Sequence, residues 1–199
     1  MKHLRLGGLV AAMAVVAAVA VAGTASATVL CKESKVPCGA ADYPAFTEFK
    51  VEQMPENTTL WREGGVTVDT CEKSLMLGKT QNTGGSGSAV NVLFSTFTWG
   101  TCGKTKKITE LGEMEIRWQA EGKGTLILKN LVWEEGTCVF GAKLIDIGVI
   151  TKPEAGKTYS TLLVDATYPR ISGFGCLATT TWAATYKVTA PSPLYIAES

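Results

Sequence analysis

The stretch 180–189 alternates strictly. Trp182, Ala184, Tyr186 and Val188 fall on one side, and Thr181, Ala183, Thr185 and Lys187 on the other. A period of two is the spacing of a half-buried β-strand, because successive side chains point to opposite faces. Residues 113–118 repeat the pattern, with Met114, Ile116 and Trp118 opposed to Glu113, Glu115 and Arg117. Further runs rich in Val, Ile, Thr, Leu and aromatics predict strands at 58–62, 66–71, 74–79, 89–99, 124–134, 137–140, 144–150 and 158–168. Glycine, proline, Asn and Asp punctuate them at short intervals, Gly122-Lys123-Gly124 suits a tight hairpin, and 80–88 reads as a flexible connection. No segment carries a helical stripe. Short strands with regular turns suit a sandwich or a barrel. The expectation is an all-β fold, a single antiparallel β-sandwich (Ig-like or jelly-roll-like) from residue 28 to 199, stapled by disulfides.

The first 27 residues do not belong to that domain. Lys2, His3 and Arg5 precede an apolar run at 9–22, and Ala25-Ser26-Ala27 follows as a small-x-small cleavage signal. This is the three-part pattern of a cleaved secretory signal peptide. The run has 14 residues, against the roughly 20 a membrane span needs. Acylation at Cys31 would call for a small residue before it, and Leu30 stands there. No later stretch is long and apolar enough to span a bilayer. Cleavage removes Lys2 and Arg5, so the formal net charge of +1 becomes −1. A near-neutral chain without a basic stripe is a poor nucleic-acid binder. The one concentration of charge, Lys104, Lys106 and Lys107, reads as a solvated loop tip.

All six cysteines, Cys31, Cys38, Cys71, Cys102, Cys138 and Cys176, follow the signal. Export and an even count predict three disulfides. No Cys-x-x-Cys pair exists, which weakens a metal reading. Sequential pairing is favoured: Cys31 with Cys38, Cys71 with Cys102, Cys138 with Cys176. The only histidine is His3, inside the signal. The mature chain therefore lacks imidazole, which excludes Ser-His-Asp and Cys-His catalysis and histidine-based zinc or copper sites. No cofactor is expected. Gly78-Lys79-Thr80 lacks the upstream glycine of a phosphate loop, and an EF-hand-type calcium loop is absent.

Leu30-Cys31, Pro37-Cys38, Tyr43-Pro44, Cys71-Glu72-Lys73-Ser74, Gly78-Lys79-Thr80, Cys138-Val139-Phe140-Gly141 and the closing 182–195 stretch occur in an order and spacing that resemble a group of small secreted actinobacterial six-cysteine proteins of uncharacterised function. The resemblance implies export and a β-rich fold, and it supplies no catalytic residues.

Several constellations could carry chemistry. Glu113 and Glu115 could serve as a carboxylate pair on a glycoside, but with Arg117 on the same strand face they read as a charge ladder. Glu134 and Glu135, before Gly136, belong at a turn. Asp69, Asp146 and Asp165 are strand-embedded and free to meet in space. Ser74 beside Lys73 or Lys79 would be a nucleophile pair, without the Ser-x-x-Lys motif. Of five tryptophans, Trp118 and Trp182 lie on apolar strand faces. Trp61 and Trp133 adjoin charged residues and are the candidates for stacking on a sugar, against a core role. Asn57-Thr58-Thr59 is a glycosylation sequon, expected to be unused. The proline-rich 191–196 tail is expected to lie along its own domain. These readings point to a secreted, non-enzymatic extracellular or cell-surface binding or structural protein, its partner a glycan or a surface protein. A carbohydrate-binding module using Trp61 and Trp133 is the alternative, and a carboxylate-dependent hydrolase a third class.

Overall fold

The computed structural model describes residues 27–34, 38, 42–85, 87–120 and 122–199. Nearly all of the segment read as a signal peptide lies outside them. Thirteen strands run through the described residues, which contain no helix. They are β1 (Thr28–Cys31), β2 (Glu48–Gln53), β3 (Thr59–Glu63), β4 (Val66–Thr80), β5 (Gly84–Gly85), β6 (Val90–Cys102), β7 (Lys106–Glu110), β8 (Glu113–Ala120), β9 (Lys123–Glu135), β10 (Cys138–Thr151), β11 (Ser160–Ser172), β12 (Thr179–Ala190) and β13 (Tyr195–Glu198). The fold is all-β, antiparallel and sandwich-like, with three disulfides, as the alternation of apolar and polar residues requires.

The pairing also shows how the layers join. β2 and β3 both lie antiparallel to β4 and to β12, so they are two halves of one strand interrupted at 54–58. β7 and β8 likewise share β9 as a partner and are one strand broken at Leu111-Gly112. Gly112 makes that break (φ 69°). A Cβ there would lie 2.2 Å from the Lys129 carbonyl oxygen, so only glycine fits. With the halves merged, the order β2/β3, β4, β6, β7/β8, β9, β10, β11, β12 returns to β2 through the Tyr186↔Gln53 to Ala190↔Lys50 register. The sheet closes on itself as an up-and-down circuit, which removes most free strand edges. The circuit is interrupted where β7 lies beside β6 without a ladder between them. A cleft of about 500 Å³ runs there, lined by residues 95–99, Lys106, Ile108, Thr109 and Leu111.

Two predicted strand pairs are each a single strand. Stretches 66–71 and 74–79 form β4, whose inward set changes phase between Cys71 and Ser74. Stretches 137–140 and 144–150 form β10, where Gly141 lets the chain press against β9: a Cβ there would meet the Leu131 carbonyl oxygen at 2.6 Å. The proline-rich tail packs on its own domain, as expected. β13 pairs with β1 from Thr28↔Glu198 to Cys31↔Tyr195, and Leu30, Leu194 and Ile196 enter the main core. This small sheet, completed by β5, covers the end of the circuit that carries the β8–β9 turn, where the Trp118 amide donates to Thr28 Oγ1 at 2.7 Å.

Aromatic rings fill the interior. Trp61, Trp99, Trp133 and Trp182 come from four different strands and converge. Ring centroids are 4.9 Å apart for Trp61–Trp99, 5.3 Å for Trp61–Trp133 and 5.5 Å for Trp99–Trp182. Tyr168 meets Trp133 edge-on at 4.7 Å. These are the offset and T-shaped geometries that ring quadrupoles favour.

Candidate functional site

The residues proposed for sugar stacking are in this core. Trp61 is 1% exposed and Trp133 0%. Neither ring presents a face to solvent, so the stacking expectation is corrected. The charged neighbours that suggested exposure, Arg62, Glu63, Glu134 and Glu135, follow from strand alternation and position at the sheet's rim. They do not report the direction of the indole.

The disulfides are Cys31–Cys38, Cys71–Cys102 and Cys138–Cys176, the sequential pairing. Among the described residues, the one group close enough to hold a metal is Cys31, Cys38 and Asp42, and there both sulfurs are already bonded to each other. Ser74 Oγ is buried and accepts the Tyr186 hydroxyl at 3.0 Å, while Lys73 and Lys79 are exposed on other positions of the strand. That hydroxyl also accepts Trp182 Nε1 at 3.2 Å, and burial pushes its pKa up. Asp146 and Asp165 are exposed, apart from Asp69. Asp146 accepts the Gly148 amide at 3.0 Å, and Asp165 lines an outer groove with Arg62 and Leu163.

Glu113, Glu115 and Arg117 form the expected ladder, completed by Lys129 of β9. Arg117 Nε lies 2.7 Å from Glu115 Oε1, and Lys129 Nζ lies 3.2 Å from Glu113 and 3.0 Å from Glu115 Oε2. Burial raises the Glu115 pKa, and the Arg117 and Lys129 contacts outweigh it, holding the carboxyl below its ordinary range. Two acids each paired to a base are poorly placed for acid–base exchange on a substrate.

The lysine cluster requires a larger correction. Lys104 and Lys107 are exposed as a loop tip would be, but the Lys106 side chain is fully buried, 0% exposed. Lys106 opens β7 directly opposite Glu135, and Asp69 of β4 stands directly opposite Trp61 of β3. These two cross-strand pairs bring one ammonium and two carboxylates together at the rim of the core. Lys106 Nζ contacts Asp69 Oδ2, lies 3.0 Å from Glu135 Oε2, and sits 5.0 Å above the Trp61 ring centroid. Asp69 Oδ1 accepts the Thr70 amide at 2.8 Å and Oδ2 the Lys104 amide at 3.1 Å. Lys104 Nζ reaches the other Glu135 oxygen at 3.1 Å. Burial pushes the Asp69 carboxyl up, and these donors more than compensate, so its pKa falls below the usual value. A buried charge is tolerable only when so paired. Gly103 is part of the seat, since a Cβ on it would lie 2.6 Å from Asp69 Oδ1. Sequence gave no sign of this cluster, because Asp69, Lys106 and Glu135 meet only through β-pairing of distant segments.

At the same end, residues 173–178 connect β11 to β12. Phe174 at their tip is 99% exposed, between Ile171 at 58% and Leu177 at 53%. The loop is built, not slack. Cys176 is bonded to Cys138, the Arg170 guanidinium donates to the Cys176 carbonyl, and the Arg170 amide donates to the Ala178 carbonyl at 2.8 Å. Gly173 (φ 117°) has no room for a side chain, with the Thr137 carbonyl oxygen 2.5 Å from where a Cβ would be. A phenylalanine between two glycines, next to a cysteine, was the sequence signal for this feature.

Compared with family models, with curated proteins and with solved structures, the chain has no significant match to any.

Proposed function

We propose that this chain is an exported, non-enzymatic protein of the extracellular space or cell surface, and that it binds a protein partner through the β11–β12 hairpin. The supporting observation is Phe174, nearly wholly exposed on a loop that a disulfide, an arginine and a glycine hold in one shape. Exposing an aromatic ring to water is unfavourable by about 2–3 kcal/mol relative to burying it. Fixing it beforehand lowers the entropy lost on binding. Buried aromatic anchors of this kind dominate protein interfaces. The absence of histidine after the signal and the pairing of Glu113, Glu115, Asp69 and Glu135 with basic side chains support a non-catalytic role. The sugar-binding alternative loses its two tryptophans to the core.

The test compares wild type with Phe174→Ser, Leu177→Ser and the double variant in cells that export the protein. The wild type should fractionate with the cell envelope and the double variant with the medium, at equal total amounts. Equal release of both would overturn the hairpin as the binding element. Glycan-array binding by the wild type, lost in Phe174→Ser, would replace the protein partner with a sugar.

A further inference from the structure

We propose that Lys106 and Asp69 condense with each other to form an intramolecular isopeptide bond, with Glu135 as the proton carrier. The three groups have the arrangement that reaction needs. The nucleophilic Nζ contacts the Asp69 carboxylate, and Glu135 Oε2 also lies 3.0 Å from Nζ. The Lys106 side chain is 0% exposed, that of Asp69 4% and that of Glu135 16%. Trp61 walls the site from inside, with its ring centroid 5.0 Å from Nζ.

In water, amines and carboxylic acids do not condense at neutral pH, because ionisation protects both and water is abundant. Burial removes the second obstacle by keeping bulk water from the pair. A desolvated ion pair is costly relative to a neutral group of similar shape, and an amide carries no charge. Fixing the two partners in contact supplies an effective concentration of roughly 10⁵–10⁸ M.

The step balances within the protein. The Lys106 ammonium gives a proton to Glu135, and the freed amine attacks Asp69 Cγ. The negative charge that develops on Oδ1 is met by the Thr70 amide, already 2.8 Å away and aimed at that oxygen. Oδ2, held by the Lys104 amide at 3.1 Å, is the leaving oxygen. Glu135 passes it the first proton, then carries a second from nitrogen. The N–Cγ bond forms, the Cγ–Oδ2 bond breaks, and one water departs with two protons that came from the ammonium. Glu135 ends ionised, as it began. The product ties β4 to β7 across the end of β6, where the ladder between β6 and β7 is missing. The Cys71–Cys102 disulfide ties β4 to β6 beside it.

Intact mass of the purified secreted protein, unfolded with its disulfides reduced and alkylated, tests the proposal. The expected mass is that of the mature sequence with its six cysteines alkylated, less one water. Digestion should yield a branched peptide joining the Asp69 segment to the Lys106 segment, uncut after Lys106. Glu135→Gln, which keeps the side-chain shape and one acceptor oxygen but cannot carry a proton, should fold and show the full mass, and Asp69→Ala should show it too. A wild-type mass with no water lost would overturn the proposal, as would a water loss mapped to a single unbranched peptide. Branching that persists undiminished in Glu135→Gln would overturn the role given to Glu135.

Discussion

Replacing Trp133 by alanine should destabilise the protein by about 3–5 kcal/mol. The ring is 0% exposed and touches Trp61 at 5.3 Å, Trp99 at 5.6 Å, Phe140 at 5.8 Å and Tyr168 at 4.7 Å between centroids. Burial of an aromatic side chain covers about 150–250 Å², and at about 25 cal/mol per Å² that is roughly 4–6 kcal/mol of transfer free energy. Partial collapse of the neighbouring rings recovers some of it. For a chain of this length, about 2–4 °C per kcal/mol converts the loss into a fall in Tm of roughly 6–20 °C. Trp133→Phe keeps an edge-to-face contact with Tyr168 and should lose less than half as much. Thermal unfolding followed by near-ultraviolet circular dichroism reads both, since the clustered indoles dominate that signal. A Trp133→Ala variant within about 1 kcal/mol of wild type would refute the packed interior. It would return Trp133 to the role of a ring available to ligands.

Three other perturbations follow from the same physics. Removing Cys71–Cys102 as a double serine variant should cost about 3–4 kcal/mol in the chain-entropy model for a separation of 31 residues, read as a lower denaturant midpoint. Gly112→Ala must move the Lys129 backbone and adopt a left-handed φ, so urea unfolding should show a loss of about 2–3 kcal/mol. The Glu115 carboxyl has a folded pKa below its unfolded value. Its contribution is therefore present above the unfolded pKa of about 4.3 and is lost as pH falls through the folded value. Glu115→Gln should be about 1.5–3 kcal/mol less stable at neutral pH and should lose less on acidification. Parallel pH profiles for the two proteins would contradict that assignment.

The strands with clean alternation, β8 and β12, were legible because one face meets the core and the other meets solvent, and nothing else interrupts them. The disulfide pairing was legible because Cys71–Cys102 joins neighbouring strands, while Cys138–Cys176 ties the start of β10 to the loop that follows its neighbour β11. The weakness lay where a residue's environment is set by distant partners. Lys106 looks like its exposed neighbours Lys104 and Lys107 in sequence. It is buried only because Asp69 and Glu135, 37 and 29 positions away, arrive beside it. Trp61 and Trp133 misled in the opposite sense, since Arg62 and Glu134 belong to the other face, while Glu63 and Glu135 lie on the same face at the sheet's rim. β2 and β7 were missed as short half-strands, β2 set by partners on both sides and β7 by β9 alone. Circuit closure by β12 and β2 has no local signature at all.

That closing seam has a temporal consequence. Lys50 meets Ala190 across 140 positions of chain. A polypeptide emerging amino end first must therefore leave β2 waiting for β12 until synthesis is almost complete. Contacts so remote form slowly, so a threadable, unlocked meander persists until the last strand arrives. The act that finishes the molecule is also the one that joins its two ends into a single ring of strands.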